Sequence, residues 1–126
     1  MSKPYAQQKG GNWERNVSKI LEQEFKIFGY KFRRTPSQER WKSYSGDVNC
    51  INCPQNSIFR DLHLECQSRK NPSIFPKLKK TIDDGKPKDG ILITKKTGEP
   101  LEIVSMSLKS FLKLILELEG YRQDEK

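Results

Sequence analysis

Residues 62–69, Leu-His-Leu-Glu-Cys-Gln-Ser-Arg, alternate between apolar and polar positions. In an extended strand successive side chains point to opposite faces. Leu62, Leu64 and Cys66 therefore share one face, and His63, Glu65, Gln67 and Arg69 share the other. The pattern demands a sheet with a core on one side and an ionisable surface on the other. A strand that merely faces water more often carries isolated charges.

The neighbouring segments supply the rest of such a sheet. Residues 47–51 alternate as a second short strand, with Asp47, Asn49 and Ile51 facing one way and Val48 and Cys50 the other. Residues 53–57 read as a turn, and residues 58–68 as the returning strand of an antiparallel hairpin. Residues 30–34 form a short strand before a polar loop over 35–45. Residues 90–95 are mostly apolar and read as a central strand, with a turn over 97–100 and a further strand over 101–106. Around these lie three helical patterns. Asn12 is placed to cap a helix to about Phe28, with Val17, Leu21, Phe25 and Phe28 at helical spacing, Trp13 and Ile20 beside them, and Gly29 ending it. A short helix is expected over 76–84, with Pro76 at its first position and Gly85 after its end. Ser107 is placed to cap a last helix to about Leu118.

This order predicts an α/β fold, a central mixed sheet with helices on its faces. The 126 residues suit one domain. Its expected parts are a flexible basic arm over 1–11, the domain over 12–119 and a polar tail over 120–126.

Charge narrows the partner. Lys and Arg number 24 against 16 Asp and Glu, a formal net charge of +8. Such an excess favours a polyanion, although a basic domain without one is the plainer alternative. No run approaches the ~18 apolar residues of a membrane span, and residues 1–11 lack the apolar run of a signal peptide. Three cysteines cannot all pair within the chain, which points to a reducing compartment. The expected location is the cytoplasm, or the host cytoplasm for a viral protein.

Asp47 and Glu65 fall on adjacent strands, and Glu14 continues the inward stripe of the first helix. Phosphodiester hydrolysis needs an activated water and stabilised charge at phosphorus, and Mg²⁺ held by carboxylates serves both. The alternatives are ordinary. Glu14 in a first helical turn complements the helix dipole, and Asp47 after Gly46 suits a strand start.

On the residues Gly11-Asn12-Trp13-Glu14-Arg15, Arg33-Arg34-Thr35-Pro36-Ser37, Gly46-Asp47-Val48, His63-Leu64-Glu65-Cys66-Gln67 and the strand-to-helix run 103–112, the chain resembles the PD-(D/E)xK nuclease superfamily. Within it, the likeness is to the small Holliday junction resolvases of archaea and phages. The resemblance implies a restriction-endonuclease-like sheet flanked by helices. It implies Glu14, Asp47 and Glu65 as ligands of Mg²⁺, with Mn²⁺ as substitute and the Cys66 carbonyl as a further ligand. It also implies DNA contacts from Arg33, Arg34 and Ser37, and a homodimer cutting a four-way junction. One position departs from the pattern: Gln67 stands where such enzymes carry Lys. Gln only hydrogen-bonds, whereas Lys would also neutralise charge. Arg69, on the same face, or Lys70, from the loop, are candidates to supply it.

Five further features have two readings each. Lys77, Lys79, Lys80, Lys86 and Lys88 would grip phosphates or form a solvated face. Cys50-x-x-Cys53 with His63-x-x-Cys66 has zinc-ligand types, but His63 and Cys66 should point to opposite faces of a strand, and Cys50 and Cys66 read as small core residues. His63 is a phosphate contact or an ordinary strand residue. Trp41 and Tyr44 would stack on bases or pin their loop. In the last helix one stripe of Leu108, Phe111, Leu112, Ile115 and Leu118 can pack on the sheet. Leu114 and Leu116 outside it suggest a second copy, or simply a core helix.

The expected activity is that of a Mg²⁺-dependent, structure-specific DNA endonuclease, foremost a junction resolvase. Alternatives are a nicking, repair or restriction-type nuclease of the same fold, and a non-catalytic DNA-binding protein.

Overall fold

The computed structural model describes residues 5–35 and 46–124, with side chains from Gly11 onward. Ser37, Trp41 and Tyr44 lie outside the described residues. The elements run α1 (Tyr5–Glu24), β1 (Phe32–Arg34), β2 (Val48–Cys50), β3 (Leu62–Arg69), α2 (Ile74–Gly85), β4 (Asp89–Lys96), β5 (Glu102–Ser105) and α3 (Leu108–Asp124). The strands form one five-stranded sheet in the order β1-β2-β3-β4-β5. β3 and β4 are parallel and the other pairs antiparallel, so the sheet is mixed. The α/β class read from the sequence is observed.

The core lies between α1 and the apolar face of the sheet. Trp13, Val17, Phe32 and Val48 are buried together, with Leu21, Phe25, Phe59, Cys66 and Ile93 packed against them. Trp13 is fixed by its indole N–H, which donates to the Ile93 carbonyl at 3.2 Å. An aromatic shelf completes this side: Phe59 meets Phe25 and Phe32 edge-on, both at 4.9 Å, a favoured ring geometry.

Several boundaries differ from the sequence reading. α1 begins at Tyr5 instead of Asn12 and passes through Gly10 and Gly11, so part of the expected arm is helical. Asn12 is therefore inside the helix, where its Oδ1 accepts from Arg15 Nη1 at 2.9 Å. A 3₁₀ turn over Lys26–Phe28 ends at Gly29. Residues Ile58–Asp61 form a second 3₁₀ turn, not the start of a strand, because the Ser57 hydroxyl caps it by accepting from Phe59 N.

α2 starts at Ile74, two residues before Pro76. First-turn N–H groups have no intrahelical partner, so a proline there removes no bond. Gly85 is the last residue of α2, not the one after it. α3 continues through Gly120 to Asp124, where a polar tail was expected. Ser107 does cap α3: its Oγ accepts from Ser110 N at 3.0 Å.

Cys50 and Cys53 are joined as a disulfide, which leaves Cys66 outside the bridge. Cys50 and Cys66, read from the sequence as small core residues, both pack against the buried cluster. Among the described residues no helix is long and apolar enough to cross a membrane.

Candidate carboxylate site on the β2–β3 edge

Asp47 enters β3's ladder with both its backbone and its side chain. Its N–H donates to Leu64 O at 2.7 Å, and its carboxylate Oδ2 accepts the Cys66 N–H at 2.8 Å. These two bonds bracket Glu65. Just before β2 begins, the Asp47 carboxylate acts as acceptor, so a backbone donor of β3 stays satisfied. Gly46 makes this approach possible: a Cβ there would lie 2.1 Å from Leu64 O. Thr35 ties down the other side. Its N–H donates to Asp47 O and its hydroxyl to Gly46 O, both at 2.8 Å, so Thr35 is hydrogen-bonded directly to the Gly46-Asp47 backbone.

Glu65 belongs to the face of β3 covered by α2. Lys77, Thr81 and Gly85 recur at i, i+4 and i+8 and form the α2 stripe over that face. Gly85 permits the closest contact, since a Cβ there would lie 2.6 Å from His63 Cγ. His63 is buried, and its Nε2–H donates to Glu65 Oε2 at 3.0 Å. Lys77 Nζ stands 4.0 Å from the other oxygen, Oε1. Burial works to raise the Glu65 pKa. The His63 hydrogen bond and the charges of His63, Lys77 and Lys80 outweigh it and hold the carboxyl below its ordinary value. The site is built to keep Glu65 ionised.

Gln67 is buried on the same face, with Nε2 directed to Ser73 O at 3.4 Å. It fastens the start of α2 to β3. Glu14 is buried as its stripe position required, and Arg34 Nε stands 3.4 Å from its Oε1. Glu14 belongs to α1 and its apolar side of the sheet, whereas Glu65 faces α2. Among the described residues no group of three or more His, Cys, Asp or Glu side chains is arranged to hold a metal ion. Asp47 and Glu65 meet on β3, and Glu14 is ion-paired with Arg34. The zinc reading loses its ligands, because Cys50 and Cys53 are bonded to each other.

The basic residues divide. Arg33, Arg69, Lys70 and Lys79 are exposed. Lys80 pairs with Asp84 at 3.4 Å and Lys86 with Asp83 at 3.4 Å, both on the surface. Lys77 differs, being aimed at Glu65. The sequence pattern groups Lys77 with the lysines that would grip phosphate and gives His63 two readings. The shared face of His63 and Glu65, two apart on one strand, was the available signal for the first contact. The second needed the seating of α2. A further basic feature, a cleft of about 330 Å³ bounded by Lys19, Lys26, Lys31 and Tyr30, opens beyond α1.

No known family model, curated protein or solved structure matches the chain.

Proposed function

We propose that the chain is a divalent-metal-dependent DNA endonuclease. Its substrate in this reading is branched DNA, foremost the four-way junction that the resolvase resemblance implies. The mixed sheet with flanking helices is compatible with a restriction-endonuclease-like architecture. The observation that carries the reading is the bracketing of Glu65 by two Asp47 hydrogen bonds to the β3 main chain, one from its backbone N–H and one to its carboxylate, in a chain of net charge +8.

The donor chemistry fits Mg²⁺. Mg²⁺ binds oxygen, keeps several waters and takes one or two protein carboxylates alongside substrate phosphate. Asp47 and Glu65 would hold it, with the Cys66 carbonyl as a further oxygen. Bound there, the metal would lower the pKa of a water and offset charge on the phosphate. The chain's own residues supply the rest. The Cys66 N–H orients the Asp47 carboxylate, and His63 orients that of Glu65. Lys77 provides a cation beside Glu65, the role that a lysine at position 67 would fill. Arg33, Arg34, Arg69, Lys70, Lys79 and Lys80, with Ser37, would hold the phosphate backbone. Such contacts read shape and position but not base sequence.

End-labelled four-way junction and matched linear duplex, each incubated with protein in Mg²⁺ or EDTA, test this. Paired symmetric nicks in the junction alone, abolished by EDTA and by Glu65→Ala, are expected. Equal cutting of the duplex would keep the nuclease and remove the junction. Lys77→Ala should lower cleavage by about tenfold or more with binding retained, in the range of one lost charge-stabilising donor.

One observation favours a second reading, a non-catalytic DNA-binding protein. The Gln67 amide is directed to Ser73 O and helps hold α2 in place. In that reading DNA binds equally with and without Mg²⁺, and Glu65→Ala changes nothing.

A further inference from the structure

Cys50 and Cys53 form a bridge that the domain as a whole has little need of. They are three residues apart. A disulfide stabilises mainly by restricting the unfolded chain, and the effect shrinks with the loop it closes. So short a loop makes this bridge a weak staple for the fold.

Its position is another matter. Cys50 ends β2, and Asp47 stands just before that strand begins. Among the described residues β2 holds to β3 through one register pair, Val48 with Leu64, beside the two Asp47 bonds. Beyond Val48, β2 leans on β1 and on the segment that the bridge closes. There the Ile51 N–H donates to Lys31 O at 2.9 Å. Asn52 spans the turn before β1, its Oδ1 accepting from Lys31 N at 2.7 Å and its Nδ2 donating to Gly29 O at 3.0 Å. Arg60 Nε donates to Cys53 O at 3.0 Å and fastens the same segment to the 3₁₀ turn that carries Phe59. The bridge braces the joint from which β2 hangs. Two thiols cannot stand as close as two bonded sulfurs, so reduction spreads this segment and slackens the joint.

The two cysteines are also unequal. Cys53 is 3% exposed, whereas Cys50 is half-buried. An incoming thiolate reaches Cys50 first, which makes Cys53 the leaving sulfur. The Arg60 guanidinium, bonded to the Cys53 carbonyl, sets a positive charge beside that residue. A nearby cation stabilises a thiolate and eases its departure.

We propose that Cys50–Cys53 is a reversible thiol–disulfide site, reduced by a dithiol, whose redox state sets how firmly Asp47 is held against β3. A thiolate of the dithiol attacks Cys50 Sγ and the Cys50–Cys53 bond breaks. Cys53 leaves with the electron pair and takes a proton. The second sulfur of the dithiol attacks the mixed disulfide and frees Cys50, which takes the other proton. Two electrons and two protons reach the chain, and the dithiol departs as its own disulfide. Asp47 enters only as the hydrogen-bond partner of the Cys66 N–H, so the inference stands if the nuclease reading fails.

Titration of the folded full chain with reduced and oxidised dithiothreitol, without DNA or metal, tests it. Alkylation located by mass at Cys50 and Cys53 reports the bridge, and amide exchange reports β2. The bridge is expected to open and re-form in a chain that keeps its far-ultraviolet circular dichroism spectrum. On reduction the Ile51 and Cys66 amides should exchange about tenfold faster or more, as for a local opening, with β4 amides unchanged. Cys50→Ser with Cys53→Ser should show the faster exchange with or without dithiothreitol. Should that variant not fold, the wild-type titration alone decides. A pair that never bridges, a bridge that opens only with global unfolding, or an opening that leaves the Ile51 and Cys66 amides unchanged would overturn the proposal.

Discussion

α1 and α3 both carry apolar residues at helical spacing, yet α1 turns Trp13 and Val17 into the sheet while α3 turns Phe111 and Ile115 away from it. The cause lies in what each helix meets. α1 lands on the shelf of Phe32 and Phe59, and the Trp13 indole is anchored on Ile93 O. α3 leaves β5 through the Ser107 cap and is latched at once by Asp89, which takes Ser110 and Lys113. Three short polar contacts fix the rotation of α3 and leave its apolar arc outward. An apolar stripe therefore says that a face needs covering, and polar latches decide whether the chain's own sheet covers it.

That contrast is sharpest in stability. Trp13→Ala should cost about 3–5 kcal/mol, as for other large buried aromatics. Leu116→Ser, at concentrations where the monomer prevails, should change stability by less than about 0.5 kcal/mol. Urea unfolding of both variants checks the pair, and equal effects would break the comparison.

Two glycines extend it to α2. Gly85→Ala drives a methyl into the His63 ring and should destabilise by roughly 1–3 kcal/mol, with loss of the His63–Glu65 contact visible in the imidazole resonances. Gly120→Ala meets open space within α3 and should stabilise by up to about 1 kcal/mol. Opposite signs are the expected thermal-shift result.

Asp47→Ala removes the acceptor of the Cys66 N–H and should cost about 1–3 kcal/mol. Its mark would be faster amide exchange at Cys66 than elsewhere in β3.

The smallest effect concerns pH. The Glu65 carboxyl is held below its ordinary 4.5 in the folded chain. The stability it contributes is fully present above 4.5 and is lost as pH falls through the lower folded value. Wild type and Glu65→Gln compared by denaturant midpoint from neutral pH to pH 3 should differ in slope only in that acid range.

Much of the sheet was legible because period-two alternation is unambiguous where one face is buried. β4 appears where residues 90–95 place it, β3 occupies all but the first turn of the expected 58–68, and Asp47 and Glu65 come to the same stretch of β3. Helix starts were less legible. Gly10, Gly11 and Pro76 look like breaks, but a first turn tolerates Pro and a packed helix tolerates Gly. A Cβ at Gly11 would lie 3.4 Å from the Arg34 guanidinium, a proximity invisible in local sequence. Glu14 was read correctly as inward-facing, but its partner Arg34 depends on the seating of α1 against β1. The Lys77–Glu65 and Gly85–His63 contacts likewise depend on how α2 lies over β3. The direction of α3 was misread because the stripe rule assumes that the nearest sheet is the cover.

The account stands most directly on Asp47 and Glu65 acting as one cation site. Mn²⁺ binding followed by electron paramagnetic resonance, in wild type, Asp47→Asn and Glu65→Gln, measures this without reference to activity. The account predicts saturable binding in the wild type that either substitution abolishes. Binding of equal strength in all three proteins, or none in the wild type, would contradict it.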